Sequence, residues 1–217
     1  MKSRKISVPT TVQIILDRSG SMESIKSSII SGFNEYIGTL KKNKGKNKIS
    51  LSLTTFDSES VDNVYTNTPI NKVEPLSNKT YIPRGMTPLY DAVVETVEKL
   101  ATTVNKDQPA LVVIMTDGQE NSSTLHDQDC LKDLIGKLKE KNNWTFTFMG
   151  ANQDSWATAM NLGIDRGNIM NWSATSKGSS VAFANLATAS INYMSQTNSG
   201  GDLNSKSFFS GNTGGEK

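Results

Sequence analysis

The sequence predicts an α/β fold, a doubly wound and mostly parallel central sheet flanked by helices. Three observations lead to this prediction. Predicted strands alternate with predicted helices along almost the whole chain. Two apolar runs, residues 11–16 and 110–115, are continuous rather than alternating, as in strands that are buried on both faces. The chain has 217 residues, which suits one full-sized domain.

The predicted elements follow in regular order. A strand at 11–16 precedes a helix whose apolar residues recur every three or four positions between Ile25 and Leu40. Four prolines (Pro69, Pro75, Pro83 and Pro88) interrupt the stretch before the next helix. The remaining predictions are strands at 49–56, 61–65, 110–115, 144–149 and 169–172, with helices at 89–104, 127–141, 155–162 and 180–196.

Composition divides the chain into three parts. Residues 1–9 form a basic N-terminal extension, residues 10–196 form the domain, and residues 197–217 are rich in Gly, Ser and Asn. Such a tail buries too little surface to offset its conformational entropy, so we expect it to be flexible. Its apolar residues, Leu203 and Phe208-Phe209, could dock onto the domain or onto a partner.

Several classes of protein are excluded by composition. The mean hydropathy is −0.41, and no apolar run approaches the roughly 18 residues that a membrane span needs. A single cysteine, Cys130, and a single histidine, His126, argue against a disulfide framework, a histidine metal site and a Ser-His-Asp triad. No signal-peptide pattern follows the basic N-terminus. We therefore expect a cytoplasmic protein with no membrane partner.

Positive charge is concentrated near the N-terminus, most densely in the lysine cluster 41–48. A nucleic-acid patch is one interpretation. The other is a solvated turn at a helix C-terminus, where cations suit the helix dipole and Gly45 ends the helix. The second is favoured because no aromatic residue interleaves the lysines, so a nucleic-acid partner is not expected.

Polar residues with oxygen ligands follow the two most apolar strands. Asp17, Ser19 and Ser21 form an Asp-x-Ser-x-Ser motif after the first strand, and Asp117 follows the strand 110–115. Ligands of doubly wound sheets bind at such strand ends. Hard oxygen ligands with few carboxylates suit Mg²⁺ or Mn²⁺ better than zinc or copper. A third loop could add the hydroxyl of Thr87.

These five residues resemble the metal-ion-dependent adhesion site (MIDAS) of von Willebrand factor A (VWA) domains, in order and in residue type. The surrounding segments 17–22, 84–92, 115–123 and 148–154 resemble small stand-alone bacterial and phage A-domain proteins, which are loosely related to those of tellurite-resistance clusters. The resemblance covers roughly residues 10–196 and implies a Rossmann-like A-domain fold.

The resemblance also implies a ligand set. The hydroxyls of Ser19, Ser21 and Thr87 would bind the metal, while Asp17 and Asp117 would act directly or through water. The expected ion is Mg²⁺, with Mn²⁺ or Ca²⁺ as alternatives. The sixth position in such sites is commonly filled by water or by a carboxylate from a partner protein.

Structural alternatives exist for several of these residues. Ser19, Ser21 and Thr87 could merely cap helices. Asp91 is interpreted as structural, in the first turn of a helix. The segment 152–154 follows a strand end, but no chemistry can be assigned to it.

The remaining candidates are weaker. Glu120 and Asn121 could shape the rim of the site or cap the next turn, and Arg18 could attract an acidic partner or be a solvated loop residue. His126 has no obvious nucleophile to serve. Cys130 is predicted to be a small core residue, because Leu134 follows it at helical spacing.

The sequence allows three functions. The favoured one is a non-enzymatic, metal-dependent module that binds an acidic residue of a partner protein. A Mg²⁺-dependent hydrolase of phosphate esters would require a base, a nucleophile or a second metal, for which the sequence offers no candidate. A nucleic-acid binder would rely on the lysine cluster 41–48.

Overall fold

The computed structural model describes residues 9–43, 48–151 and 155–210. These residues form a six-stranded sheet with the order β3-β2-β1-β4-β5-β6. β3 runs antiparallel to β2, and every other neighbouring pair is parallel. The strands are β1 (Thr10–Asp17), β2 (Ile49–Phe56), β3 (Val61–Pro69), β4 (Ala110–Thr116), β5 (Trp144–Ala151) and β6 (Ile169–Trp172). The predicted fold class is confirmed.

Helices cover both faces of this sheet. A 3-10 turn, Gly20–Ile25, leads into the first helix. The helices are α1 (Lys26–Lys42), α2 (Leu89–Ala101), α3 (Gln128–Lys139), α4 (Ser155–Asn161) and α5 (Ser176–Asn198). The apolar residues of α1 and α5 belong to one core cluster, and those of α2, α3 and α4 belong to the other. None of the helices in the described part of the chain is long and apolar enough to cross a bilayer.

The continuous apolar runs of β1 and β4 follow from this layering. In β1, Ile14 and Leu16 enter the cluster under α1, while Ile15 enters the cluster under α2. In β4, Val113 likewise belongs to the cluster under α1 and Ile114 to the cluster under α2. A strand with a helical layer on each face needs apolar side chains at every position.

The strand order reverses between β1 and β4, and this reversal positions the site. The chain winds from β1 outward to β2 and β3, then returns to β4 on the other side of β1. Leu16 is in register with Met115, so the two strands end side by side. Crevices at the carboxyl ends of strands flanking such a switch point are the usual ligand sites of open α/β sheets.

The C-terminal segment differs from the predicted flexible tail. α5 continues to Asn198, and Phe208 and Phe209 are buried against the domain, at 6% and 8% exposure. Asn168 donates through its amide to the carbonyls of Phe146 and Ser205 and accepts from the backbone N–H of Phe208. A side chain at Gly167 would meet this segment at 2.6 Å.

Residues 199–210 therefore dock onto the domain, one of the two outcomes that the sequence left open. The apolar surface of the two phenylalanines and the hydrogen bonds of Asn168 outweigh the disordering composition. The rest of the predicted tail, residues 211–217, and residues 1–8 of the predicted extension lie outside the described residues.

One smaller prediction, for Cys130, is wrong. Cys130 is exposed, because α3 turns Leu131 and Ile135 rather than Cys130 toward the core. In the lysine cluster, residues 44–47 lie outside the described part of the chain, and the Lys41 ammonium donates to the Val73 carbonyl at 2.7 Å.

Candidate metal site

The loop that follows β1 is built around the Asp17 carboxylate. Its Oδ1 accepts from the backbone N–H of Ser19 at 2.6 Å, and its Oδ2 accepts from the Thr116 hydroxyl at 2.6 Å. The hydroxyls of Ser19 and Ser21 lie 3.1 Å apart. Ser21 donates to Oδ1 of Asp117 at 2.6 Å, across the gap between β1 and β4. Four of the five predicted residues therefore form one hydrogen-bonded chain.

Thr87, the fifth predicted residue, lies close to the other four beside Gly118. A Cβ atom placed on Gly118 would lie 3.2 Å from the Thr87 hydroxyl, 3.7 Å from the Ser21 hydroxyl and 4.0 Å from Oδ2 of Asp17. Oxygens from the loop after β1 and from the loop that carries Thr87 thus converge on one small space beside Gly118 of the third loop, which a side chain at Gly118 would fill. The structure brings the five predicted residues together.

Burial raises the pKa of both carboxylates, so each binds a proton more readily than a free carboxylate does. Asp17 is fully buried, and this burial raises its pKa to about 6, despite the opposing hydrogen bonds from Thr116 and Ser19. The nearby charge of Asp117 adds to the rise, and burial raises the pKa of Asp117 as well. A divalent cation in the space between them would offset this unfavourable burial of negative charge.

The residues fit a hard cation. Within residues 9–43, 48–151 and 155–210, no group of three or more His, Cys, Asp or Glu side chains is arranged to hold a metal. Any ion at these loops would therefore depend on hydroxyl oxygens in addition to Asp17 and Asp117. Oxygen-only ligation with room for water is characteristic of Mg²⁺, and Mn²⁺ accepts the same donors.

The capping alternative is not supported for Ser19 or Thr87. Ser19 precedes the 3-10 turn but makes no side-chain capping hydrogen bond. The residue preceding α2 is Pro88, and the residue preceding α1 is Ile25. The hydroxyls of Ser19 and Thr87 are thus not used for helix capping and are available to the site around Gly118.

Glu120 and Asn121 hold the loop that follows β4. Oδ1 of Asn121 accepts from the backbone N–H of Thr87 at 2.9 Å, and the Asn121 N–H donates back to the Thr87 carbonyl. Glu120 accepts from the N–H groups of Ser122, Ser123 and Tyr90. Both residues therefore fix the loops that carry candidate ligands.

Asp91 is structural, as predicted. Its carboxylate accepts from the backbone N–H groups of Thr124, Leu125 and His126, with the shortest bonds at 2.7 Å. His126 lies 3.5 Å from the exposed Cys130 thiol, measured from Nδ1 to Sγ. The predicted edge segment 152–154 lies outside the described residues.

Arg18 corresponds to neither of its two sequence interpretations. It is 7% exposed, and its guanidinium contacts Asp57 at 2.7 Å and Asp62 at 2.9 Å. It is therefore neither solvated nor a free cation for a partner. Sequence reasoning missed Asp57, Arg84 and Thr116. Only Thr116 carried a signal, as a hydroxyl residue at a strand end beside Asp117.

Comparison with known proteins shows the family and the fold of the chain. The sequence-family model of the von Willebrand factor type A domain matches residues 12–188. The chain belongs to the von Willebrand factor type A domain family. A search of curated protein sequences finds no significant match. The narrower likeness to tellurite-resistance proteins stays a prediction.

Solved structures show the same VWA fold at low sequence identity. The SpRpn10 VWA domain aligns with a TM-score of 0.54 at 16% identity, covering 82% of this chain and 95% of that one. Manganese-loaded Plasmodium vivax TRAP protein aligns with a TM-score of 0.54 at 18% identity, covering 82% and 74%. The pilus adhesin SpaC of Lactobacillus rhamnosus GG gives 0.65 at 12% identity, covering 86% of this chain but only 31% of the adhesin.

Proposed function

We propose that this VWA domain is a metal-dependent protein-binding module. A divalent cation held by Asp17, Ser19, Ser21, Thr87 and Asp117 would engage a glutamate or aspartate of a partner protein. The observation that carries this proposal is the convergence of three loop oxygens at Gly118, at 3.2, 3.7 and 4.0 Å from the position of a Cβ atom.

The charge balance of the site favours an acidic partner. Asp17 and Asp117 would do no more than balance a divalent cation, and the other three candidate ligands are neutral hydroxyls, so the site has no excess negative charge to repel an acidic residue. When bound, the cation supplies an electrophilic position that an incoming carboxylate fills better than water does. Asp17 and Asp117 are held by Thr116 and Ser21, so the negative charge inside the site is fixed before any partner arrives.

The rim of the site has surface suited to a protein contact. Ile82 and Met86 are 48% and 54% exposed, and both lie in the segment that leads to Thr87. Leu125, 70% exposed, lies in the loop after β4 that also holds Asn121. Large apolar side chains exposed beside a polar site are typical of protein-binding surfaces.

The proposed ion is Mg²⁺, with Mn²⁺ or Ca²⁺ as alternatives. A structurally similar protein, Plasmodium vivax TRAP, is manganese-loaded. The donor set suits all three ions, since each prefers oxygen. Catalysis is not part of the proposal, because the hydrogen-bonded hydroxyl and carboxylate of Ser21 and Asp117 would both be occupied as metal ligands. A cytoplasmic compartment stays a prediction.

The proposal is tested by isothermal calorimetry on the EDTA-stripped chain with Mg²⁺ and with Mn²⁺. We expect one site per chain, lost in Asp17→Ala and retained in Ser24→Ala, whose hydroxyl lies in the same loop but donates to the Ser21 carbonyl. Absence of binding at millimolar metal in the wild type would refute the metal site. A partner isolated later should lose affinity in EDTA and when its critical carboxylate is replaced by an amide.

A further inference from the structure

An ion-pair network with a buried centre adjoins the loops of the metal site. Its centre is Asp57, which follows β2 and is 1% exposed. Oδ2 of Asp57 accepts from Nε of Arg18 at 2.7 Å and from Nε of Arg84 at 3.0 Å. Oδ1 accepts from the backbone N–H groups of Glu59 at 2.7 Å and Ser60 at 3.0 Å. One carboxylate oxygen thus binds the two arginines, and the other binds the backbone of the turn that follows β2.

Both arginines belong to loops that carry candidate ligands. Arg18 lies between Asp17 and Ser19 in the first loop, and Arg84 precedes Thr87 by three residues. The Ser60 hydroxyl accepts from both guanidinium groups, at 2.8 Å from Arg18 and 3.1 Å from Arg84. Asp57 and Ser60 therefore join the first loop and the Thr87 loop through side chains that do not touch the metal site.

The same two loops are also joined by backbone hydrogen bonds. The N–H of Arg84 donates to the Arg18 carbonyl at 2.9 Å, and the N–H of Gly20 donates to the Gly85 carbonyl at 3.0 Å. Gly85 has a φ of +65°, and a Cβ there would lie 2.4 Å from the Ser58 hydroxyl. That hydroxyl accepts from the N–H of Met86. The segment leading to Thr87 is thereby held against the turn between β2 and β3.

Asp57 holds its charge within this network. Burial acts to raise its pKa, but the N–H groups of Glu59 and Ser60 and the two guanidinium groups outweigh burial and leave the pKa below its usual value. Hydrogen bonds between a carboxylate and a guanidinium are stronger than those between neutral groups. The two backbone hydrogen bonds that join the same loops are between neutral groups. The charged contacts of Asp57 are therefore the stronger link between the loops.

We propose that Asp57 is a positioning residue of the metal site, which fixes the Thr87 loop against the Ser19–Ser21 loop through Arg84 and Arg18. This inference rests on the proposed function. Three of the five candidate ligands are neutral hydroxyls, which are weak ligands individually. Affinity for the cation then depends on how well these oxygens are held in place before it binds.

The test uses the full chain and Mn²⁺ as the probe. Asp57→Asn removes the charge but keeps an acceptor for the N–H groups of Glu59 and Ser60, and Arg84→Gln removes one link from a 42% exposed side chain. We expect the calorimetric Kd for Mn²⁺ to rise about tenfold in Asp57→Asn and severalfold in Arg84→Gln. If Asp57→Asn fails to fold, the half-exposed Arg84 variant carries the test.

Two controls separate positioning from general destabilisation. Arg166→Gln removes an arginine whose guanidinium lies over the Trp156 ring, far along the chain from the metal loops. Phe208→Ala lowers stability by emptying a buried site in the C-terminal segment. We expect both variants to bind Mn²⁺ with a Kd within twofold of the wild type. A loss of affinity in Phe208→Ala equal to that in Asp57→Asn would overturn the proposal.

A readout without metal keeps this inference separate from the proposed function. In EDTA, amide hydrogen exchange at Gly20, Arg84 and Met86 should accelerate in Asp57→Asn and Arg84→Gln, while exchange within α5 stays unchanged. Unchanged exchange at these amides, or a wild-type Kd in both variants, overturns the proposal. If the wild type binds no Mn²⁺, the metal assignment fails, and the exchange rates still decide whether Asp57 joins the loops.

Discussion

The hydroxyl of Thr116 donates to Oδ2 of Asp17 at 2.6 Å and so joins the carboxyl ends of β1 and β4. The same hydroxyl oxygen accepts from the N–H of Gly118 at 3.1 Å. Thr116 thus orients the Asp17 carboxylate and the loop that carries Asp117. Its position in the strand beside β1 gives the buried charge of Asp17 a hydrogen-bond donor where water has no access.

Metal binding should stabilise the fold. A ligand at ten times its Kd contributes about 1.4 kcal/mol, which for a domain of this size raises Tm by about 3–6 °C. We expect this shift with millimolar Mg²⁺ or Mn²⁺ after EDTA treatment, measured by differential scanning calorimetry. Ser21→Ala should abolish it, and Ser24→Ala should not. An equal shift in both variants would mean that the ion binds elsewhere.

Asp17→Asn should separate stability from metal binding. The pKa of Asp17 is about 6 in the folded chain and about 4 in an unfolded one. The group therefore favours folding below pH 4 and loses that contribution as pH rises to 6, by roughly 3 kcal/mol. In EDTA at pH 7.5, we expect Asp17→Asn to have a higher Tm than the wild type.

The two proteins should converge as the pH is lowered to 4, because Asp17 becomes neutral like asparagine. The variant should also lose the stabilisation by Mn²⁺. A lower Tm for Asp17→Asn in EDTA at pH 7.5 would show that the buried charge is already balanced without metal.

Thr87 should be required for its hydroxyl rather than its volume. Thr87→Ala should weaken Mn²⁺ binding at least tenfold, because it removes one of the three oxygens that converge at Gly118. Thr87→Ser keeps the hydroxyl and should bind within about threefold of the wild type. Calorimetric titration of both variants decides the point, and equal affinities would exclude Thr87 from the ligand set.

The purified protein should not hydrolyse ATP, GTP or generic phosphate esters in the presence of Mg²⁺ or Mn²⁺. Ser21 donates to the Asp117 carboxylate, but in the proposed site both residues would be metal ligands, so neither would be free to act as a nucleophile or a general base. Phosphate release would be measured over hours at high protein concentration. Turnover that co-purifies with the chain and disappears in Asp117→Ala would contradict the binding-module proposal.

The docked C-terminal segment should contribute stability without affecting the metal. Phe208→Ala removes a buried ring that packs against Tyr193 and Phe209, and such changes cost about 3–5 kcal/mol. We expect a fall in Tm of roughly 6–20 °C. Lys206→Ala, an exposed position in the same segment, should change Tm by under 2 °C, or about 0.5 kcal/mol.

Sequence patterns determined the elements of this fold well where hydrophobic periodicity was strong. The strand Ile169–Trp172 has its predicted bounds, and α2 begins at Leu89 as predicted. The ends of other helices moved by a few residues, since caps such as Thr175 before α5 carry little periodic signal. Phe208 and Phe209 lie in a segment whose composition predicts disorder. They are buried because Asn168 and Gly167 provide a place for the segment to dock, and the composition of the segment carries no information about these two residues.

By itself, the sequence predicted the mostly parallel sheet and the five candidate ligands, because these depend on apolar runs and on residue types at strand ends. The strand order, with its switch point between β1 and β4, came only from the tertiary structure. The tertiary structure decided what Arg18, Asp57, Arg84 and Thr116 do. Arg18 lies 39 residues from Asp57, and Thr116 lies 99 residues from Asp17. Such pairs form only when strands that are distant in the sequence align in the sheet. A local sequence pattern therefore does not predict which charged residue pairs with which.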